Sequence, residues 1–122
     1  MASLRDTLAH LLAVPGVRSV AMVGRDGLLI EATGRGDERF LEILGAMGAS
    51  ALGVTEALGA EFGHERTVAA LLEYDNAFVS VDPLGDYAAI VTLAESAASL
   101  GSIRRTVRAA RDELLRQLDM RR

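Results

Sequence analysis

The histidines, aspartates and serines of this chain are the side chains whose chemistry could support catalysis or metal binding. His10 and His64 are the two histidines, and neither has a His, Cys or carboxylate neighbour at metal-ligand spacing. The sequence contains no cysteine, which excludes thiolate metal sites, disulfides and cysteine nucleophiles. We therefore predict no metal site, and we interpret both histidines as solvated or helix-end residues.

Three aspartates, Asp75, Asp82 and Asp86, lie close enough in sequence to suggest a cation site. Each stands where a turn favours an Asx residue, and no glutamate follows at calcium-loop spacing, so we interpret them as turn residues. Ser80 has no base near it in sequence and no Gly-x-Ser-x-Gly elbow is present, although a spatial neighbour is left open. We expect no catalytic residues and no enzymatic activity.

A glycine-rich segment at residues 34–36, Gly-Arg-Gly, resembles the beginning of a phosphate-binding loop. The Gly-x-Gly-x-x-Gly motif would need a glycine where Arg39 stands, and no Lys-Ser/Thr pair follows. We therefore expect neither a nucleotide pocket nor a cofactor.

Composition narrows the class of protein. The chain has 122 residues, 50% of them hydrophobic and 25% charged, which fits one packed domain over residues 1–122. A net charge of -4, with three Phe, two Tyr and no Trp, argues against binding nucleic acid. No basic segment followed by an apolar run opens the sequence, and no uncharged stretch approaches membrane-spanning length. We expect a cytoplasmic protein without membrane insertion.

Hydrophobic periodicity and turn residues predict eight elements in the order α-β-β-α-β-β-β-α. The short connections between strands predict an antiparallel five-stranded sheet, and the apolar first, third and fifth strands predict helices on both faces, an α+β sandwich. The predicted helices cover about residues 4–14, 38–62 and 97–119, and the strands about 17–23, 28–33, 67–74, 77–81 and 87–94.

The middle helix carries large apolar residues on one side and small ones on another. We interpret the large stripe as the intramolecular core; its members are Phe40, Ile43, Leu44, Met47, Ala51, Val54, Leu58 and Phe62. Opposite it, small residues recur every four positions at Gly45, Ala49, Gly53 and Ala57. Small residues allow close backbone approach, which favours a protein-contact face over a featureless Ala/Gly-rich surface.

The last helix is rich in arginine. Arg104, Arg105, Arg108, Arg111 and Arg116 lie on it, with Arg121 and Arg122 beyond. A basic docking face is one interpretation. Asp112 is four residues from both Arg108 and Arg116, so we favour an ordinary solvated face.

Three short segments carry a family resemblance: residues 14–17 (Val-Pro-Gly-Val), 23–30 (Val-Gly-Arg-Asp-Gly-Leu-Leu-Ile) and 100–104 (Leu-Gly-Ser-Ile-Arg). Together with the element order along nearly the whole chain, they resemble the Roadblock/dynein light chain family in its compact bacterial, MglB-like form. The resemblance implies a Roadblock/profilin-like fold and a homodimer with paired third strands and adjacent middle helices. It also implies regulation of small Ras-like GTPases, by MglB-like activators that reshape the GTPase without inserting a catalytic residue.

From the small-residue face and this resemblance we predict a non-enzymatic homodimer that binds a small Ras-like GTPase, with activation of GTP hydrolysis as one mode of action. The partner-binding residues are predicted to be Glu42, Gly45, Ala46, Ala49, Gly53 and Glu56. The dimer interface is predicted at Val68, Ala70, Leu72, Gly45, Ala49, Gly53 and Ala57. Two alternatives are a structural scaffold or light-chain-like dimerisation subunit, and a small-ligand sensor, since the layout also resembles profilin- and PAS-like folds.

Overall fold

A computed structural model describes residues 3–64, 66–95 and 99–120 of the chain. The helices are α1 (Leu4–Leu12), α2 (Glu38–Glu61) and α3 (Leu100–Met120). The strands are β1 (Val17–Gly24), β2 (Leu29–Gly34), β3 (Ala70–Glu73), β4 (Phe78–Leu84) and β5 (Ala88–Ala94). They form one antiparallel sheet in the order β2-β1-β5-β4-β3. The predicted fold class is confirmed.

Local signals explain the first elements. Ser3 and Asp6 form a capping box at α1, in which the Ser3 hydroxyl accepts a hydrogen bond from the Asp6 amide and the Asp6 carboxylate accepts one from the Ser3 amide. These hydrogen bonds lower the pKa of Asp6 below its ordinary value of 3.8. The turn from α1 into β1 uses Gly16 at a φ of 93°, a conformation that favours glycine.

The sheet has a hydrophobic cluster on each face. On one face, α1 and α3 pack against β1, β4 and β5, with Leu8, Met22, Ile90, Ile103 and Leu114 fully buried. On the other face, α2 covers β1 and β5 through a smaller cluster that includes Leu52, Val81 and Val91. The predicted helical layers on both faces are therefore present.

The structure corrects the predicted lengths of two strands, β3 and β4. β3 is shorter than predicted, and three of its four residues are exposed, so it is not buried on both faces as its apolar sequence suggested. β4 is longer, since Asp82 and Pro83 lie inside the strand and not in a turn. Proline has no backbone N–H to donate to a neighbouring strand. Pro83 is tolerated because β3 pairs with β4 only as far as Val81, so no paired residue of β3 lies opposite Pro83.

The ends of the last helix and the apolarity of α2 also bear on the predictions. The predicted start of the last helix at residue 97, together with Arg121 and Arg122, lies outside the described residues.

By length and composition, α2 is apolar enough to cross a membrane, a test that helices packed in protein cores also pass. Its packing against the sheet is consistent with a protein environment, and the absence of membrane insertion stays a prediction.

Candidate interaction surface

The side chains with potential chemistry are spread over the described part of the chain. Within the described ranges, no group of three His, Cys, Asp or Glu side chains is placed to hold a metal ion. Ser80 donates a hydrogen bond to Asp82 at 2.9 Å, but both side chains are buried between the sheet and α3 and offer no access to a substrate. Asp37, after the 34–36 segment, caps α2 by accepting a hydrogen bond from the amide of Phe40.

Asp82 is a buried carboxyl that sequence reasoning had assigned to a turn. Burial raises its pKa above the ordinary value of 3.8, and the Ser80 hydrogen bond and the charges of Arg104 and Arg111 oppose that change. Its nearest cation is Arg104 of α3, 3.8 Å away. Asp82 therefore joins β4 to α3, a structural position that no local sequence signal marked.

The orientation of α2 differs from the predicted one. The stripe interpreted as intramolecular core is largely exposed, with Met47 and Val54 66% and 67% accessible. Small residues face the sheet instead: Gly45 and Gly48 are buried, and a Cβ on Gly45 would lie 3.3 Å from Val23. The helix can lie this close to the sheet at Gly45 and Gly48 because these two positions carry no side chain, while Leu52 packs against the sheet further along the helix.

The predicted contact residues of α2 consequently separate into two groups. Gly45 packs against its own sheet and Ala49 is partly buried there, so in the single chain these two residues offer little surface to a partner, and their intermolecular role stays a prediction. Others remain accessible, as Glu42, Gly53 and Ala57 are exposed and Ala46 is partly exposed. Glu56 is half-buried and pairs with Arg25 at 2.6 Å, so its charge is already neutralised within the chain.

The exposed stripe of α2 continues into a groove beside β3. The groove has a volume of about 430 Å³ and an apolar lining. Its lining includes Phe40, Ile43, Met47, Ala51 and Val54 from α2, together with Leu72 and Tyr74 at β3 and Val79 of β4. We call these residues the α2–β3 surface. Contiguous exposed apolar surface of this kind marks contact sites in folded proteins.

β3 is an edge strand whose outer side can pair with another strand. Tyr74 donates its amide to the carbonyl of Ala77, so alternation along an antiparallel ladder directs the Leu72 amide toward β4 and the Leu71 amide outward. Leu71 and Leu72 are 41% and 39% exposed. Among the predicted interface residues, Leu72 lies in the groove, Ala70 is buried, and Val68 is exposed but precedes the strand.

The arginines of α3 do not form a uniform solvated face. Arg104 approaches the buried Asp82, and Arg111 donates a hydrogen bond to the Pro83 carbonyl at 2.9 Å. Arg116 pairs with Glu113 and not with the predicted Asp112. Two of these arginines thus connect α3 to the sheet, while Arg105 and Arg108 are exposed.

Comparison with known proteins addresses the family. The Roadblock/LC7 domain model matches residues 4–94, three-quarters of the chain. The chain belongs to the Roadblock/LC7 family. This confirms the resemblance seen in the sequence. No curated protein sequence matches the chain.

Solved structures of Roadblock proteins have the same fold. An MglB with a tetrameric arrangement superposes with a TM-score of 0.83 at 20% identity, covering 98% of this chain and 94% of that one. MglB of Myxococcus xanthus gives a TM-score of 0.81 at 19% identity, covering 98% and 99%. A Roadblock/LC7 domain from Streptomyces avermitilis gives 0.79 at 22% identity, covering 93% and 99%. At these identities the likeness establishes the Roadblock fold alone.

Proposed function

We propose that this Roadblock protein is a non-enzymatic, cytoplasmic regulator that forms a homodimer through the α2–β3 surface and binds a small Ras-like GTPase. The observation that carries the proposal is the exposed apolar stripe of α2. Six of its residues are each at least 40% accessible in the single chain: Phe40, Ile43, Met47, Val54, Leu58 and Phe62. Leaving this much apolar side chain in water is costly, whereas burying it against a second copy contributes favourably to association.

The edge of β3 supplies a second reason for self-association. Its outer amides and carbonyls pair with no strand among the described residues, and an identical β3 can satisfy them across a two-fold axis. In that arrangement two α2 helices meet on the same side of a continuous sheet, so one symmetric interface would cover both the stripe and the strand edge.

The MglB neighbours support the GTPase part of the proposal, since the bacterial members that the sequence resembles regulate Ras-like GTPases. Partner contact is proposed for the side of α2 next to the stripe, where Glu42, Ala46 and Gly53 are accessible. Glu42 has no ion-pair partner within the part of the chain that the structure describes, so its charge is available to steer a basic patch on a partner.

The proposal is tested with purified small Ras-like GTPases, beginning with any that is encoded near the gene for this chain. Met47→Glu introduces charge at the centre of the stripe and should abolish both dimerisation and GTPase binding. Ala109→Glu, on an exposed position of α3 across the sheet, is the matched control and should leave both unchanged. Arg111 is unsuitable as a control because its hydrogen bond to Pro83 contributes to the fold.

Glu42→Arg separates the two activities. It should leave the dimer intact and slow association with the GTPase several-fold at low salt. Faster GTP turnover in the presence of the wild-type dimer identifies an activator, and binding without a change in turnover identifies a scaffold. A dimer that binds no Ras-like GTPase at all contradicts the proposed regulatory function.

A further inference from the structure

A small cavity opens at the end of the sheet where three separate elements each contribute an arginine. Arg25 comes from the β1–β2 turn, Arg66 from the segment after α2, and Arg111 from α3. The cavity has a volume of about 170 Å³, below the roughly 300–1,000 Å³ of sites for drug-sized ligands. It can therefore hold a small ion and not a nucleoside.

The charged residues that line the cavity carry a net positive charge. Two carboxylates, Glu56 and Asp86, also line it, leaving one net positive charge. Glu56 is held by Arg25 at 2.6 Å. Among the described residues, no carboxylate lies within ion-pair distance of Arg66 or Arg111, and the charge of Arg111 reaches the buried Asp82 only over a longer distance.

Hydrogen-bond donors at the cavity are also unsatisfied. Arg25 donates to the Gly85 carbonyl at 2.8 Å and Arg111 to the Pro83 carbonyl at 2.9 Å, which fixes both side chains against the β4–β5 turn. The Nε atoms of these same two arginines are buried and have no acceptor within the described part of the chain. Buried donors of charged groups are costly to leave unpaired, so this arrangement favours an acceptor that carries negative charge.

We propose that this cavity binds a small tetrahedral oxyanion, inorganic phosphate or a phosphoryl group of similar size. Guanidinium groups match phosphate oxygens through paired, charge-assisted hydrogen bonds. Arginines from three elements suit a tetrahedral anion, whose oxygens point in several directions, better than a planar carboxylate. The site is independent of the α2–β3 surface, since it shares no lining residue with the groove beside β3.

The test titrates inorganic phosphate into the full chain by calorimetry, in chloride buffer at constant ionic strength, with acetate in a parallel titration. We expect saturable phosphate binding and binding of acetate at least about tenfold weaker. Arg111→Gln and the exposed Arg66→Gln should each weaken phosphate binding about tenfold or more. Arg108→Gln, an exposed arginine of α3 outside the cavity, is the matched control and should bind as the wild type does.

Two variants keep the test decisive if Arg111→Gln folds poorly, because the Arg66 side chain is exposed and its replacement should leave the fold intact. The absence of saturable heat in the phosphate titration overturns the proposal. Wild-type affinity for phosphate in both single variants, Arg66→Gln and Arg111→Gln, also overturns it. Equal affinity for acetate and phosphate overturns the preference for a tetrahedral anion.

Discussion

Alanine substitution at three glycines of α2 tests which side of the helix faces the sheet. In a helix interior, replacing Gly by Ala gains about 0.8–1.0 kcal/mol of stability when the added methyl group meets open space. Gly53 has nothing within 4 Å of an added Cβ, so Gly53→Ala should gain that full amount. At Gly48 the new Cβ would overlap both methyl groups of Val91.

Val91 cannot easily move out of the way. It lies on β5, which is paired on both sides with β1 and β4, and its branched side chain has restricted rotamers. Overpacking of this kind costs about 1–3 kcal/mol, which cancels or exceeds the helical gain. We expect Gly48→Ala to lower the free energy of unfolding by between about 0 and 2 kcal/mol. Gly45→Ala should lie between the other two, since its nearest contacts would be 3.3 Å away.

The assay is urea unfolding of the three variants at one protein concentration, because association would make stability concentration-dependent. The expected order of stability is Gly53→Ala, then Gly45→Ala, then Gly48→Ala, with the extremes separated by about 1–3 kcal/mol. Equal stabilisation of all three would mean that Gly45 and Gly48 do not pack against the sheet, and would refute the packing described for α2.

Three further predictions concern the strand edge and two carboxyl groups. Leu71→Pro removes an outward amide of β3 and should abolish dimerisation while the monomer stays folded. Leu72→Pro removes an amide directed toward β4 and should also unfold the β3–β4 ladder. Sedimentation measures the loss of the dimer, and circular dichroism measures the loss of strand structure. Because burial raises the pKa of Asp82, protonation of this carboxyl stabilises the fold below about pH 3.8, and that stabilisation is lost as the pH rises through the folded pKa. Asp82→Asn carries no charge at either pH, so it should raise Tm relative to wild type at pH 7 and not at pH 3. The lowered pKa of Asp6 has the opposite sign: Asp6→Asn should reduce Tm at pH 7, and the difference should disappear as pH falls through the folded pKa of Asp6.

The order of elements was predictable from sequence because its signals are local. The capping box at Ser3 and Asp6, the turn at Arg25-Asp26-Gly27 and the alternation of strands and helices depend on nearby residues alone. β4 was predicted too short because Asp82-Pro83 is typical of a turn. The Asp82-Pro83 pair lies in the strand because Asp82 contacts Ser80 and Arg104 and because β3 ends before Pro83. The contact with Arg104 and the end of β3 are set by residues distant in sequence.

The orientation of α2 was not predictable by the same reasoning. Large apolar residues on one side of a helix usually mark its buried side. Here Gly45 and Gly48 face the sheet, and the larger side chains such as Met47 are left accessible. Sequence periodicity separated the large residues of the helix from the small ones, but it could not decide which of them contact the sheet: Gly45 is buried, whereas Gly53 is exposed. That choice depends on the distance between helix and sheet, a tertiary property.

The mass of the chain in solution tests the proposed role of the α2–β3 surface most directly. Light scattering at tens of micromolar should give about twice the 12.9 kDa chain mass for the wild type and for Ala109→Glu. Met47→Glu should give the mass of a single chain. A monomeric wild type, or a Met47→Glu variant that assembles as the wild type does, would contradict the assignment of this surface to self-association.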